Sequence, residues 1–329
     1  MIIKGRKLGV NANRLLLHKI VQFFITILLF TLTINGCSPQ LIVPGPKTST
    51  PIISNDELIM QDGAKLPLHQ WTPKKNPKAV ILVLHGFNDY GRFIKDAAEF
   101  FANQGYKVYA YDQRGFGGAP HFGRWPGRQA LSDDLITVTK LLRQKHPEKP
   151  FFHLGSSMGG AVIMKAATLN TPLKTEGIIL VAPAVRGRAN MRIYERWIIG
   201  LLSHTTPWVK LTGRQLNIKP SDNIEMLRAL SRDPKVIKET RIDSIWGLIN
   251  LMDDAVAAAP KLAQKTLILY GKMDEIINEL PTKYMLNNLP RNKKELQKII
   301  RYKNGYHMLL RDLQAKKVWE DIIIWMQEN

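Results

Sequence analysis

Apolar residues follow two rhythms along this chain. Short, mainly apolar runs at Ala79–Leu84, Tyr106–Tyr111, Pro150–Leu154, Gly177–Val181, Thr266–Gly271 and Gln297–Tyr302 predict strands. The unbroken Ala-Val-Ile-Leu-Val-Leu run at 79–84 is the pattern of a central parallel strand covered on both faces. Between the runs, apolar residues recur at helical spacing: about Arg92 to Asn103, residues 129–145, Ala161 to Ala167, Leu280 to Leu289 and Leu313 to Met326. A hairpin is predicted ahead of them, with its turn at Asp62-Gly63. The alternation of strand and helix stops at Ala184. To Pro260 the pattern is mainly helical, with segments at Tyr194 to Leu202, Asn223 to Leu230 and Ile242 to Met252. Strand runs on both sides of a helical block predict an α/β fold. It is a mostly parallel central sheet flanked by helices, with a helical cap inserted over the strand ends at about 184–260.

The chemistry gathers where predicted strands end. Gly155-Ser156-Ser157-Met158-Gly159 lies between a strand and a helix, the G-x-S-x-G arrangement that exposes a serine on a sharp turn. Gly155 and Gly159 keep clear the space that side chains would fill, and Ser157 is the candidate nucleophile. A serine hydroxyl needs a base to take its proton and a carboxylate to orient that base. Asp274 follows the penultimate predicted strand and His307 follows the last, so the chain order is Ser, Asp, His. Glu275, Asp253 and Asp254 are rival carboxylates, and Asp274 also suits a helix N-cap. Among the other histidines, His153 lies inside a strand and reads as core. His85 precedes the serine and suits a hydrogen-bonding role, while His121, His146 and His204 have no partner nearby in sequence. An oxyanion hole needs two backbone N–H groups, and Met158 and Phe87 are the candidates.

Charge and the single cysteine change the picture at the N-terminus. The 329-residue chain carries a net charge of +20. Five of its cations lie in residues 1–36, which contain no acid, so the remainder is still strongly basic. With no zinc-finger or RNP-like pattern, that charge points to an anionic membrane surface rather than nucleic acid, or simply to a basic soluble surface. One cysteine leaves no internal disulfide and no cysteine-based metal cluster. It stands at Cys37, after a basic start and an apolar run, Ile20–Ile34, that is short for a spanning helix. The expected organisation is a signal or anchor segment at 1–36, a Pro- and Gly-containing tether at 37–54 and one domain at 55–329. The predicted cap is basic and aromatic: residues 184–220 hold seven cations against Glu195 alone, interleaved with Trp197, Ile198, Leu201 and Trp208. Such a stretch suits an anionic lipid interface, or a cap helix packed on the domain with a solvated basic face.

The motifs His85-Gly86, Asp112-Gln113-Arg114-Gly115-Phe116-Gly117, Gly155–Gly160, Gly271-Lys272-Met273-Asp274 and Gly305-Tyr306-His307 together resemble the α/β-hydrolase superfamily. Within it the likeness is greatest to the monoglyceride lipase and lysophospholipase family of serine aminopeptidase-like hydrolases, and spans about Asn55 to Gln327. Phe87-Asn88 departs from the family pattern, where a second glycine is common. The resemblance implies hydrolysis of carboxylic esters of single-chain lipids through an acyl-serine on Ser157, with His307 as base and no metal or organic cofactor. Residues 1–37 resemble a bacterial lipoprotein signal, with Ile34, Gly36 and Cys37 matching its lipobox and Asn35 departing from it. That resemblance implies lipid attachment at Cys37 and a catalytic domain outside the cytoplasm; an uncleaved N-terminal helix implies the same side. Two further readings stay open on sequence: the same triad acting on small soluble esters or a peptide N-terminus, and a catalytically silent envelope protein of this fold.

Overall fold

The computed structural model describes residues 16–26, 38–169, 171, 173–213 and 217–329. The strands are β1 (Ile52–Ser54), β2 (Glu57–Ile59), β3 (Lys65–Trp71), β4 (Ala79–Leu84), β5 (Tyr106–Tyr111), β6 (Phe151–Ser156), β7 (Gly177–Val181), β8 (Lys210–Thr212), β9 (Glu239–Arg241), β10 (Thr266–Gly271) and β11 (Gln297–Tyr302). The helices are α1 (16–26), α2 (Lys95–Asn103), α3 (Arg128–Lys145), α4 (Met158–Ala166), α5 (Ile193–Thr205), α6 (Ile224–Arg232), α7 (Ile242–Ala258), α8 (Glu279–Asn287) and α9 (Ala315–Glu328). Nine strands form one sheet in the order β1-β2-β3-β5-β4-β6-β7-β10-β11. The first three run antiparallel, and β5 through β11 along that order are parallel.

The apolar runs conceal a period of two. In β4, Val80, Leu82 and Leu84 face one core, and Ala79, Ile81 and Val83 face the other. In β10, Ile268 and Tyr270 divide from Leu267 and Leu269 in the same way. Helices cover both faces, so neither set of residues meets water. α3, α4 and α7 close one side through Leu135, Val138, Val162, Leu251 and Ala255. α2 and α9 close the other through Ala98, Phe101, Val318 and Ile322. The hairpin forms at the expected turn, with Gly63 at φ +77 and the Met60 N–H donating to Ala64 O at 2.9 Å.

Three boundaries differ from the sequence expectation. The sheet begins at Ile52, inside the expected tether of 37–54. The preceding residues are fastened to the domain: the Ile42 N–H donates to Trp125 O, those of Thr48 and Ser49 to Gln61 O, and that of Gly45 to Asp62 Oδ2. Main-chain bonds of this kind leave no side-chain periodicity to read. The block at 184–260 is not wholly helical, because β8 and β9 pair as a separate antiparallel ribbon. Nor is all of it cap. α7 packs on α4 beside the sheet, with Gly247 set against the indole of Trp125, where a Cβ would come within 2.3 Å of Cδ1. Cys37, and most of the expected signal segment, lie outside the described residues. Among the described residues no helix is long and apolar enough to cross a membrane.

Candidate active site

β6, an interior strand, delivers Ser157 at its carboxyl end, and the backbone there is strained as the glycine pattern requires. Ser157 sits at φ +50, ψ −114, between the last residue of β6 and the first of α4. A side chain tolerates that conformation only when its surroundings fix it. They do so with main-chain bonds: the Ser157 N–H donates to Val181 O at 2.9 Å, and Ser157 O accepts the N–H of Ala184 at 3.0 Å. The flanking glycines permit close backbone approach. A Cβ on Gly159 would lie 2.3 Å from Leu84 O, and one on Gly155 would lie 2.5 Å from the Gly159 carbonyl carbon.

Asp274 and His307 meet on loops that leave β10 and β11. The two loops touch backbone to backbone, with the Met273 N–H donating to Gly305 O at 2.9 Å. Asp274 is buried. Its Oδ1 accepts the N–H groups of Ile276 and Ile277 at 2.9 and 2.8 Å, which leaves Oδ2 for Nδ1 of His307 at 2.8 Å. A carboxylate only accepts, so Nδ1 carries the proton and Nε2 presents its lone pair. Ser157 and His307 line one small cleft of about 60 Å³ together with Gly86, Phe87, Asp89 and Arg311. Room of that size holds a few waters.

Of the two oxyanion candidates, Phe87 lines the same cleft and Met158 directly follows Ser157. Met158 opens α4 directly after Ser157, and its N–H belongs to the first turn, where no intrahelical acceptor exists. Its side chain is fully buried in the core. The ring of Phe87 stands edge-on to Phe116 and Trp125, at centroid distances of 5.7 and 6.1 Å, which seats the loop that follows β4. His85 secures that loop. Its Nε2 accepts the Gln113 N–H at 3.0 Å, so Nδ1 donates to Gly86 O at 2.8 Å, and burial pushes its pKa down. His153 is core, and its Nε2 pairs with the Thr139 hydroxyl at 2.8 Å. His146 pairs with the Tyr109 hydroxyl at 2.9 Å, and His204 stands edge-on to Trp246. His121 adopts φ +64 at the loop surface.

The rival carboxylates are engaged elsewhere. Asp253 pairs with Arg188, Asp254 with Arg128 and Lys165, and Glu275 accepts the Lys219 N–H. A second imidazole–carboxylate pair, His69 Nε2 with Asp112 Oδ1 at 2.9 Å, escaped sequence reasoning. Asp112 also accepts the N–H groups of Gly91 and Gly118, so it fastens the turns after β4 and β5. Sequence reasoning also missed the pair of buried Asp89 with half-buried Arg311 in the cleft, at 2.5 Å. Arg311 lies four residues past His307, and that spacing was the only signal available. Among the described residues no group of His, Cys, Asp and Glu side chains is arranged to hold a metal ion.

α5 packs on α7 and turns an apolar face outward. Ile193, Trp197 and Leu201, one turn apart, are 71%, 74% and 63% exposed, and Tyr194 and Ile198 flank them. The basic residues divide. Arg192 and Arg196 stay at the surface, while Arg188 turns in to Asp253 and Asn250 and stacks over Trp246 at 4.1 Å.

Residues 75–314 match the family described as serine aminopeptidase, S33. A rat monoglyceride lipase is 26% identical over 283 residues, covering 83% of this chain and 90% of the relative. A monoacylglycerol lipase of Mycolicibacterium smegmatis is 24% identical, covering 80% and 93%. Among solved structures, a soluble variant of the Saccharomyces cerevisiae monoglyceride lipase, in complex with a substrate analog, superimposes with a TM-score of 0.68. It is 20% identical and covers 87% of this chain and 98% of that one. The Paleococcus ferrophilus monoacylglycerol lipase gives 0.65 at 19% identity, covering 79% and 97%. With the expected mostly parallel sheet flanked by helices in place and nearly three-quarters of its length matched, the chain belongs to the serine aminopeptidase S33 family and has the α/β-hydrolase fold.

Proposed function

We propose that this protein is a serine hydrolase that cleaves carboxylic esters of single-chain lipids at a membrane surface. The observation that carries the reading is the Asp274–His307 pair at 2.8 Å, sharing a cleft with a serine held at φ +50. Ser157 Oγ attacks the ester carbonyl while His307 Nε2 takes its proton. Asp274 holds the imidazole in the required tautomer and favours the imidazolium that forms. The N–H groups of Phe87 and Met158 receive the oxyanion, aided by the positive end of α4. Collapse of the tetrahedral intermediate expels the alcohol, protonated by His307, and leaves an acyl-serine. Water, deprotonated by the same imidazole, then releases the acid.

The substrate class draws on the monoglyceride and monoacylglycerol lipases among the relatives and on the outward apolar face of α5, which suits contact with lipid. Lipid attachment at Cys37 completes the proposal by holding the domain at its substrate's surface. Loss of fatty-acid incorporation in Cys37→Ser would test that part. A second reading, action on small soluble esters or a peptide N-terminus, is favoured by the narrow cleft of about 60 Å³.

Two measurements decide. Covalent labelling by a fluorophosphonate probe, lost in Ser157→Ala, tests the serine mechanism; a wild-type chain that takes no probe refutes it. A chain-length series of p-nitrophenyl esters beside an aminoacyl amide tests the substrate class, and turnover confined to the shortest esters or to the amide refutes the lipid reading.

A further inference from the structure

The loop that carries His307 is fastened to the cap as well as to the acid. Asp312, five residues beyond His307, is buried and has both oxygens engaged. Its Oδ2 accepts the N–H of Tyr306, the residue before the imidazole, at 2.8 Å, and its Oδ1 accepts the hydroxyl of Ser221 at 2.6 Å. Ser221 is fully buried and belongs to the inserted block, on the stretch between β8 and α6. Further bonds lace the same two segments. The Met308 N–H donates to Pro220 O at 3.0 Å, Asn223 Nδ2 donates to Arg311 O at 3.0 Å, and the Leu313 N–H donates to Asp222 Oδ1 at 2.9 Å. Lys219 reaches both loops: its N–H donates to Glu275 Oε2 at 2.8 Å, and its Nζ lies 4.8 Å from the Tyr306 ring centre.

We propose that Asp312 is a positioning residue for His307, and that through Ser221 it makes the seating of the cap a condition for placing the base. The proposal rests on the serine-hydrolase reading above. A carboxylate bonded to a backbone N–H makes a charge-assisted, directional contact, and this one fixes the main chain immediately before the imidazole. Its charge also interacts favourably with the imidazolium of His307. Burial pushes the Asp312 pKa up, and the Ser221 and Tyr306 bonds pull against it. The other charged groups around this point are Asp222 on the cap strap, whose like charge raises Asp312 further, Lys219 over Tyr306, Asp274 beyond the imidazole, and Arg311, whose guanidinium is turned to Asp89. Removing the Asp312 charge therefore disfavours the imidazolium, while removing the side chain also frees the loop.

The test is the second-order rate of Ser157 labelling by a fluorophosphonate against pH, on the full chain, with thermal melting alongside. Asp312→Asn keeps an oxygen for the Tyr306 N–H and loses the charge, and its amide can bond Ser221 only with the direction reversed, the amide donating to the hydroxyl oxygen. It is expected to hold the plateau rate within about threefold and to move the acid limb down by roughly half a pH unit. Asp312→Ala is expected to lower the plateau about tenfold or more, as a base displaced by a fraction of an ångström would. Ser221→Ala is expected to lower the plateau a few-fold and leave the limb in place. An acid limb unmoved in Asp312→Asn overturns the proposal, as does an unchanged plateau in a folded Asp312→Ala. Should Asp312→Ala fail to fold, the limb of Asp312→Asn decides alone. A Ser221→Ala protein identical to wild type removes the cap from the proposal. Wild-type protein that takes no probe refutes the parent reading, an outcome distinct from all of these.

Discussion

Truncating the outward face of α5 should uncouple the protein from lipid while leaving its chemistry alone. Trp197 and Leu201 are 74% and 63% exposed, one turn apart, so neither contributes much to the folded core. Fully burying a large apolar side chain yields roughly 1.5–3 kcal/mol. A lipid surface reaches only the outward part of each, so about 1 kcal/mol per side chain is a conservative figure. Removing both in Trp197→Ala/Leu201→Ala then costs about 2 kcal/mol of partitioning, which corresponds to a roughly 30-fold weaker vesicle partition coefficient. Co-sedimentation with vesicles containing anionic phospholipid measures it directly. Turnover of a vesicle-borne ester should fall with it, while turnover of a short soluble ester and the melting temperature should stay close to wild type. A partition coefficient within twofold of wild type would refute the reasoning, and α5 would then have some other partner. Charge reversal is informative only at Arg192 and Arg196. Arg188 is committed to Asp253 and Asn250, so reversing it would disturb the attachment of the cap rather than its surface charge.

Three further outcomes are expected. Asp274→Asn should reduce kcat by roughly 10³–10⁴-fold with little change in melting, because an amide can donate to Nδ1 and select the wrong imidazole tautomer; steady-state turnover of a soluble ester checks it. Arg114→Ala should destabilise the fold by about 3–5 kcal/mol in urea titrations, because the guanidinium bridges Asp62 and Asp134, both almost fully buried, and its loss strands two carboxylates. Burial pushes His153 down from 6.5 to about 3, so the native state holds it neutral while the unfolded chain protonates below 6.5. Its contribution is present above pH 6.5 and is lost as the pH falls toward 3, amounting to about 3 kcal/mol by pH 4.5, and His153→Gln should recover most of that acid loss in melts at pH 7 and 4.5.

Local chemistry was legible in the sequence, and long-range pairing was not. The elbow around Ser157 could be read because its glycines, its strand and its helix are contiguous, and each element reports the same turn. Asp274 and His307 could be placed because each directly follows a strand run. What joins elements far apart leaves no such trace. Asp89 and Arg311 are 222 positions apart, and Ser221 and Asp312 are 91 apart, so only the folded sheet brings either pair together. The ribbon of β8 and β9 is three residues wide and β8 is exposed throughout, too short for alternation to register. α7 was recognisable as a helix by its period, but that period says nothing about which layer it joins. Its apolar side chains meet α4, so the inserted cap ends earlier than the helical pattern does.

The kinds of bond that hold each part have a consequence for how such a site can change. Ser157, Asp274 and the loop of His307 are set largely by main-chain groups: Val181 O and Ala184 N at the serine, the N–H groups of Ile276 and Ile277 at the carboxylate, Gly305 O against Met273 N. The cap meets the loops after β4 and β11 through side chains as well, Asn88 to Thr240, Tyr90 to Asp233 and Asp312 to Ser221, beside the main-chain bonds from Ile237 to Asn88 and from Met308 to Pro220. Main-chain bonds survive most substitutions, whereas side-chain bonds are lost with a single one. The backbone placement of the serine and of the acid is therefore robust to sequence drift, and the side-chain contacts of the cap, Asp312 to Ser221 among them, are the part that substitutions retune first. Relatives that match most of the chain at about a quarter identity are what this division of labour allows.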